Sequence, residues 1–238
     1  MKEFVVLSGQ RSGSTLVIRS LDTSPDIYCA GEILHPLKKS RIHHIEWKHR
    51  YVKVGSYKAT ILLNGLFWRG RIKKHIDRFY CSRDAGEIAR GFKLMKSQLD
   101  YNAFLLPYLR SRGVSFIVLI RDNDFDTALS WSKSQMTGLY HSSDANQSQT
   151  IEIPFDFFQL QLDRAVKNRT FLENFAAEQN SLIINYTDLI ERWEESIASI
   201  GMHIGAKKLK VEKTLEKLVA SERVRVTNLD ELRERFDK

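Results

Sequence analysis

Apolar residues along this chain fall into two alternating patterns. Short unbroken runs at 4–8, 115–120 and 181–185 read as strands. Longer segments of helical period lie between and around them, at roughly 14–23, 59–77, 101–111, 124–136, 155–178, 188–199 and 206–219. Within 101–111, Ala103, Leu106 and Leu109 recur at near-helical spacing and Gly113 stops the helix, although Pro107 sits inside it. The stretch Arg90-Gly91-Phe92-Lys93-Leu94-Met95 is a shorter and weaker strand candidate. Alternation of this kind predicts an α/β fold, a parallel sheet flanked by helices in three α/β/α layers. The polar, turn-rich segment 138–152 reads as a surface loop. No internal repeat, heptad run or low-complexity tract interrupts the pattern.

Length and charge refine this picture. At 238 residues the chain suits a single domain over 1–238, with an inserted region at about 36–80. The net charge of +8 favours anionic partners, or simply a solvated basic surface. Much of the excess lies in 38–58, 69–78 and 207–213. The first two of these regions interleave Trp47, Tyr51, Tyr57, Phe67, Trp68, Phe79 and Tyr80. The two cysteines, Cys29 and Cys81, have no metal-ligand spacing and point to a reducing compartment, with a single disulfide as the alternative. No apolar run approaches the ~20 residues that span a bilayer. Met1-Lys2-Glu3 leads straight into the first strand, so a cytoplasmic protein is expected.

The chemistry begins where the first strand ends. Phe4-Val5-Val6-Leu7-Ser8-Gly9-Gln10-Arg11-Ser12-Gly13-Ser14-Thr15-Leu16 is a strand, a Gly/Ser/Arg turn and a helix start. In a parallel sheet such a junction gathers backbone N–H groups and a helix N-terminus around one anion. It is P-loop-like without being a nucleotide triphosphatase loop. That motif needs G-x-x-x-x-G-K-[ST], whereas Gly9 and Gly13 are one residue too close and Ser14 replaces the lysine. The cation, Arg11, precedes the second glycine. A donor with a 5′ anionic group and no bound metal suits this loop better than ATP with magnesium.

A second anion position follows the strand at 115–120. Arg121 closes that strand, and Ser130 lies nine residues on, about two turns into the next helix. Ligands of open parallel sheets bind beyond the carboxyl ends of the strands, so Arg121 and the first loop share a rim. Guanidinium plus hydroxyl suits a terminal phosphate.

Together these runs resemble the sulfotransferase family, whose donor is 3′-phosphoadenosine 5′-phosphosulfate (PAPS). Gln10 to Leu16 resembles the family's 5′-phosphosulfate loop, and Ile117 to Asn123 through Ser130 its 3′-phosphate motif. The Arg121–Ser130 spacing is closer to that of the bacterial carbohydrate enzymes, including the trehalose type. Gly31-Glu32, Gly91 to Met95, and Ile184-Asn185-Tyr186-Thr187-Asp188-Leu189 add weaker matches. The resemblance implies that Arg11, Ser12, Gly13, Ser14 and Thr15 bind the 5′-phosphosulfate, with Arg11 also stabilising the leaving group. Arginine stands here where many members have lysine, which keeps the charge in a flatter, wider fork. Arg121 and Ser130 would bind the 3′-phosphate. Arg225 and Asn228, in the run 223–228, fall where the family closes over the donor, with Arg223 competing for the same role.

The implied reaction is sulfuryl transfer to a hydroxyl, leaving 3′,5′-adenosine bisphosphate. No metal is expected: His43, His44 and His49 cluster without a supporting cysteine or carboxylate. A general base should stand near the acceptor hydroxyl, and Glu32 and His35 are both candidates. Glu32 matches a carboxylate of the trehalose-type enzymes, while His35 has the more convenient ordinary pKa. Lys93 is a further candidate on the same rim. Region 36–80 offers aromatic faces and cations for a glycan, a glycolipid or a small hydroxylated metabolite, and equally for contact with an anionic membrane surface. A P-loop kinase is the enzymatic alternative and would use Asp122 or Asp124 for magnesium. A basic nucleic-acid-binding domain is the non-enzymatic alternative. It leaves the Gly/Ser/Arg loop unexplained, and nucleic acid is not expected as a partner.

Overall fold

The structure, a computed structural model, describes residues 1–34, 57–82, 86–100, 102–139, 149–178, 181–206, 209–214 and 224–237, with backbone only for 57–67. Its centre is a five-stranded parallel sheet. The strands are β1 (Lys2–Ser8), β2 (Ile27–Ala30), β3 (Ala89–Met95), β4 (Ser115–Ile120) and β6 (Leu182–Asn185), in the order β2-β3-β1-β4-β6. A parallel pair of short strands, β5 (Gln149–Ile151) and β7 (Val224–Val226), stands apart from it.

The unbroken apolar runs follow from burial on both faces of the sheet. Alternate side chains of β1 point opposite ways. Val5 and Leu7 pack on one side with Ile72, Ile76 and Phe79 of α2 (Tyr57–Cys81). Leu105 and Leu109 of α4 (Leu105–Ser111) and Phe175 of α6 (Phe155–Glu178) join the same side. Phe4 and Val6 pack on the other with Leu16, Val17 and Leu21 of α1 (Ser14–Leu21). Leu189 of α7 (Tyr186–Glu191) and Ile197 and Ile200 of α8 (Trp193–His203) complete that layer. The three predicted layers are present. A satellite cluster joins Phe125 and Ala128 of α5 (Asp124–Thr137), Phe158 of α6, Val226 of β7 and Leu232 of α9 (Leu229–Phe236).

Several predicted elements shift for identifiable reasons. The helix expected over 101–111 begins only at Leu105, behind a short α3 (Lys96–Asp100). Pro107 thus falls in the first turn, where its missing N–H has no intrahelical partner to lose. The helix expected over 188–199 is two helices meeting at Arg192, whose ψ of 52° interrupts the helical path. Of the helix expected over 206–219, residues 209–214 have no regular secondary structure. The weak candidate at 90–95 is central strand β3, paired with β1 and β2. The loop expected over 138–152 contains β5, and 140–148 lie outside the described residues. The first part of the inserted region, to 56, also lies outside them, whereas α2 supplies core. Among the described residues no helix is long and apolar enough to cross a membrane.

Gly91 of β3 lies opposite its register partner Phe4 of β1. A Cβ at Gly91 would lie 2.4 Å from the Phe4 ring, which is itself fully buried. Gly91→Ala is therefore expected to destabilise the fold by about 1–3 kcal/mol and lower Tm by roughly 2–12 °C. Thermal unfolding measures this, and an unchanged Tm would contradict the packing described.

Candidate functional site

Connection order sets the location of the site. From β1 the chain leaves toward β2 and β3 on one side, while β4 and β6 lie on the other. The crevice between the ends of β1 and β4 is the topological switch point, where parallel sheets bind ligands.

The loop leaving β1 contains two left-handed residues, Arg11 at φ 59° and Gly13 at φ 78°. Arginine is uncommon in this region, so its conformation is held by its surroundings. Ser12 Oγ donates to the Gly9 carbonyl at 2.9 Å, tying the turn across itself. Gln10 anchors its flank, donating to Ser97 Oγ and accepting from Asn168 Nδ2, each at 3.3 Å. Gly13 then caps α1, its carbonyl accepting from the Leu16 and Val17 amides at 2.9 and 3.2 Å. The first turn of α1 carries no acidic side chain to offset its positive end.

Arg121, immediately after β4, reaches into this loop. Its Nη1 donates to the Arg11 carbonyl at 3.1 Å, and its guanidinium lies 4.8 Å from the centre of the Tyr186 ring. Arg11 in turn donates from Nε to Ser130 Oγ on α5 at 2.8 Å. Arg11, Ser12, Gly13, Ser14, Thr15, Arg121 and Ser130 are thus brought to one crevice. Burial, and after it the charge on Arg121, lowers the Arg11 pKa, while Tyr186 acts the other way. Arginine still stays protonated at physiological pH. The Arg11 and Arg121 guanidiniums lie at one crevice, with Asp126 4.0 Å from Arg121, and both would attract an anion bound there. Asp124, one of the magnesium candidates of the kinase reading, is instead held by Arg169 at 2.9 Å.

Glu32 follows edge strand β2. Its Oε1 lies 3.2 Å from Lys93 Nζ, and its Oε2 accepts from Gln98 Nε2 at 3.4 Å. Thr15, Arg19, Asp22, Cys29, Glu32 and Lys93 line a cavity of about 280 Å³. Thr15 belongs to the anion loop, so the cavity connects that loop with the carboxylate. His35 lies outside the described residues, as do His43, His44, His49 and Arg223. Arg225 is exposed on β7, where it is the register partner of Thr150 on β5. Asn228 engages the Ile153 backbone, donating from Nδ2 at 2.8 Å and accepting at Oδ1 at 3.1 Å. It braces the junction beyond β5. Tyr186 is a site residue to which its sequence motif gave no role.

No family model matches the chain, and no curated protein matches it. Among solved structures, one described as a sulfotransferase from Alicyclobacillus acidocaldarius is similar over 99% of this chain and 90% of its own. The identity is 15% and the TM-score 0.46, a likeness that carries nothing about activity.

Gly13 offers the sharpest test of the loop. A Cβ there would lie 2.9 Å from the Tyr186 ring, on a backbone of positive φ. A Cβ at Gly31 would meet nothing within 4 Å. Gly13→Ala should destabilise by about 1–3 kcal/mol, and Gly31→Ala by less than about 1. Paired denaturant unfolding measures the difference, and equal effects would contradict the loop geometry.

Proposed function

We propose that this chain transfers a sulfuryl group from PAPS to a hydroxyl of a glycan, a glycolipid or a small metabolite. The observation that supports this reading above the others is the linked cluster of Arg121, Arg11 and Ser130. A loop suited to a 5′ anion and a strand-end arginine suited to a second phosphate share hydrogen bonds at one switch point. A donor anionic at both its 3′ and 5′ positions fits that pair of sites. The sulfotransferase resemblance of the motifs agrees with it.

In the proposed reaction the bond from sulfur to the 5′-phosphate oxygen breaks, and a bond from sulfur to the acceptor oxygen forms. The acceptor proton passes to Glu32, and adenosine bisphosphate leaves. Arg11 and the loop amides stabilise charge developing on the leaving oxygen, the kind of term that dominates transfers of this type. Lys93 and Gln98 hold Glu32 at the cavity that also reaches Thr15. The acceptor group enters that cavity, whose mixed polar and apolar lining and size suit a sugar-sized, hydroxyl-rich moiety. Arg225 supplies a further cation from β7, whose Val226 packs in the cluster of α5 residues Phe125 and Ala128.

Calorimetric titration with 3′,5′-adenosine bisphosphate tests the donor assignment. Wild type should bind, and Arg11→Ala and Arg121→Ala should each weaken binding about tenfold or more. No binding, with ATP–magnesium bound instead, would overturn the reading in favour of a kinase.

Glu32→Gln tests the base. Turnover should fall about 10²–10⁴-fold, while affinity for the bisphosphate stays within a factor of two. Unchanged turnover would move the role to another group, with His35 next in line.

A further inference from the structure

The cavity that joins the anion loop to Glu32 has a deep end and a mouth. Thr15, Glu32 and Lys93 line it and are half-buried, whereas Arg19, Asp22 and Gly31 line it and are exposed. One face of α1 forms a wall between the two ends, because Thr15, Ile18, Arg19 and Asp22 follow one another at helical spacing. Arg19 stands one turn beyond Thr15, about 6 Å along the helix axis, which is roughly one pyranose ring. Asp22 is fixed at this mouth. Its backbone stays helical at the C-cap, with φ −70° and ψ −9°, and the Cys29 N–H donates to its Oδ1 at 3.2 Å. A carboxylate accepts several hydrogen bonds at once, and a guanidinium presents donors in a fixed fork. On one helix face the two suit adjacent hydroxyls, the acid accepting from their O–H groups and the arginine donating to their oxygens. Gly31 lines the same mouth, and a Cβ there would meet nothing within 4 Å. That open space beside the charged pair is room for a ring.

We propose that Arg19 and Asp22 form an acceptor subsite that binds a vicinal diol of a saccharide ring, with the hydroxyl to be sulfated directed toward Glu32. The inference rests on the sulfuryl-transfer reading and names the acceptor class, a hydroxyl-rich sugar unit, for the same cavity. Both side chains act by holding the acceptor, one turn or more away from the transferred group.

The test is ligand-observed NMR titration of methyl α-D-glucopyranoside and of cyclohexanol against protein saturated with 3′,5′-adenosine bisphosphate. Cyclohexanol keeps a six-membered ring and one hydroxyl but lacks the diol. Wild type should bind the glucoside about tenfold or more tightly than cyclohexanol. Arg19→Gln and Asp22→Asn should each lose about tenfold in affinity for the glucoside and less than about twofold for the bisphosphate. Thermal unfolding should show both variants folded, because the two side chains are exposed. Gly31→Val should abolish glucoside binding by filling the mouth, again with the bisphosphate bound. Equal affinity for the two ring ligands, no binding of the glucoside, or unchanged binding in both charge variants would overturn the subsite while leaving the donor reading intact. A wild type that fails to bind the bisphosphate would overturn the donor reading, and the subsite with it.

Discussion

Arg121 donating into the carbonyl of Arg11 is the contact on which the site depends. It fixes the end of β4 against the loop after β1, and it does so by placing one guanidinium beside the residue that carries another. Like charges in proximity are unfavourable unless something offsets them. Among the described residues the Tyr186 ring under Arg121, Asp126 at 4.0 Å and the hydroxyl of Ser130 on Arg11 all contribute to that offset. A cation over an aromatic ring contributes about 0.5–2 kcal/mol. Two guanidiniums at one crevice also attract an anion there.

The fold makes that contact possible by burying everything beneath it. β1 is covered on both faces and flanked by β3 and β4, so its last residue cannot move independently of the sheet. Tyr80 from α2 donates to the Phe4 carbonyl at 2.9 Å, tying one helical layer to the same strand. At the far side of the molecule Arg112 forms a bidentate pair with Glu3 and a further pair with Asp77. These groups lie away from the site and join the start of β1 to α2 and α4. Rigidity is built at the N-terminal ends of the strands, and chemistry is left to the loops at their C-terminal ends.

The parts of this arrangement legible in the sequence are those where a long apolar run ends abruptly in polar residues. β1 with its Gly/Ser/Arg loop and β4 with Arg121 both have that form, and burial on two faces is what makes the runs unbroken. β2 has only Ile27, Tyr28, Cys29 and Ala30, an edge strand too short to show a period. That strand was not expected from the sequence, and Glu32 directly follows it, held by Lys93 and Gln98. The split at Arg192 is a backbone event with no glycine or proline to announce it. Gln10, Ser97 and Asn168 brace the loop from distant segments, a relation that residue spacing along the chain cannot carry. Tyr186 did lie in a motif, but its role comes from Gly13 and Arg121 approaching the same ring. Asn228 shows the converse: its place in a motif suggested a ligand, and its amide serves the Ile153 backbone.

The central claim is that two anion positions belong to one ligand. A crystal structure of the protein with bound 3′,5′-adenosine bisphosphate tests it most directly. The account predicts the 5′-phosphate over the amides of Arg11 to Thr15 and the 3′-phosphate between Arg121 and Ser130, with Arg11 turned toward the 5′ group. A nucleotide bound elsewhere, or with only one phosphate in this crevice, would contradict it.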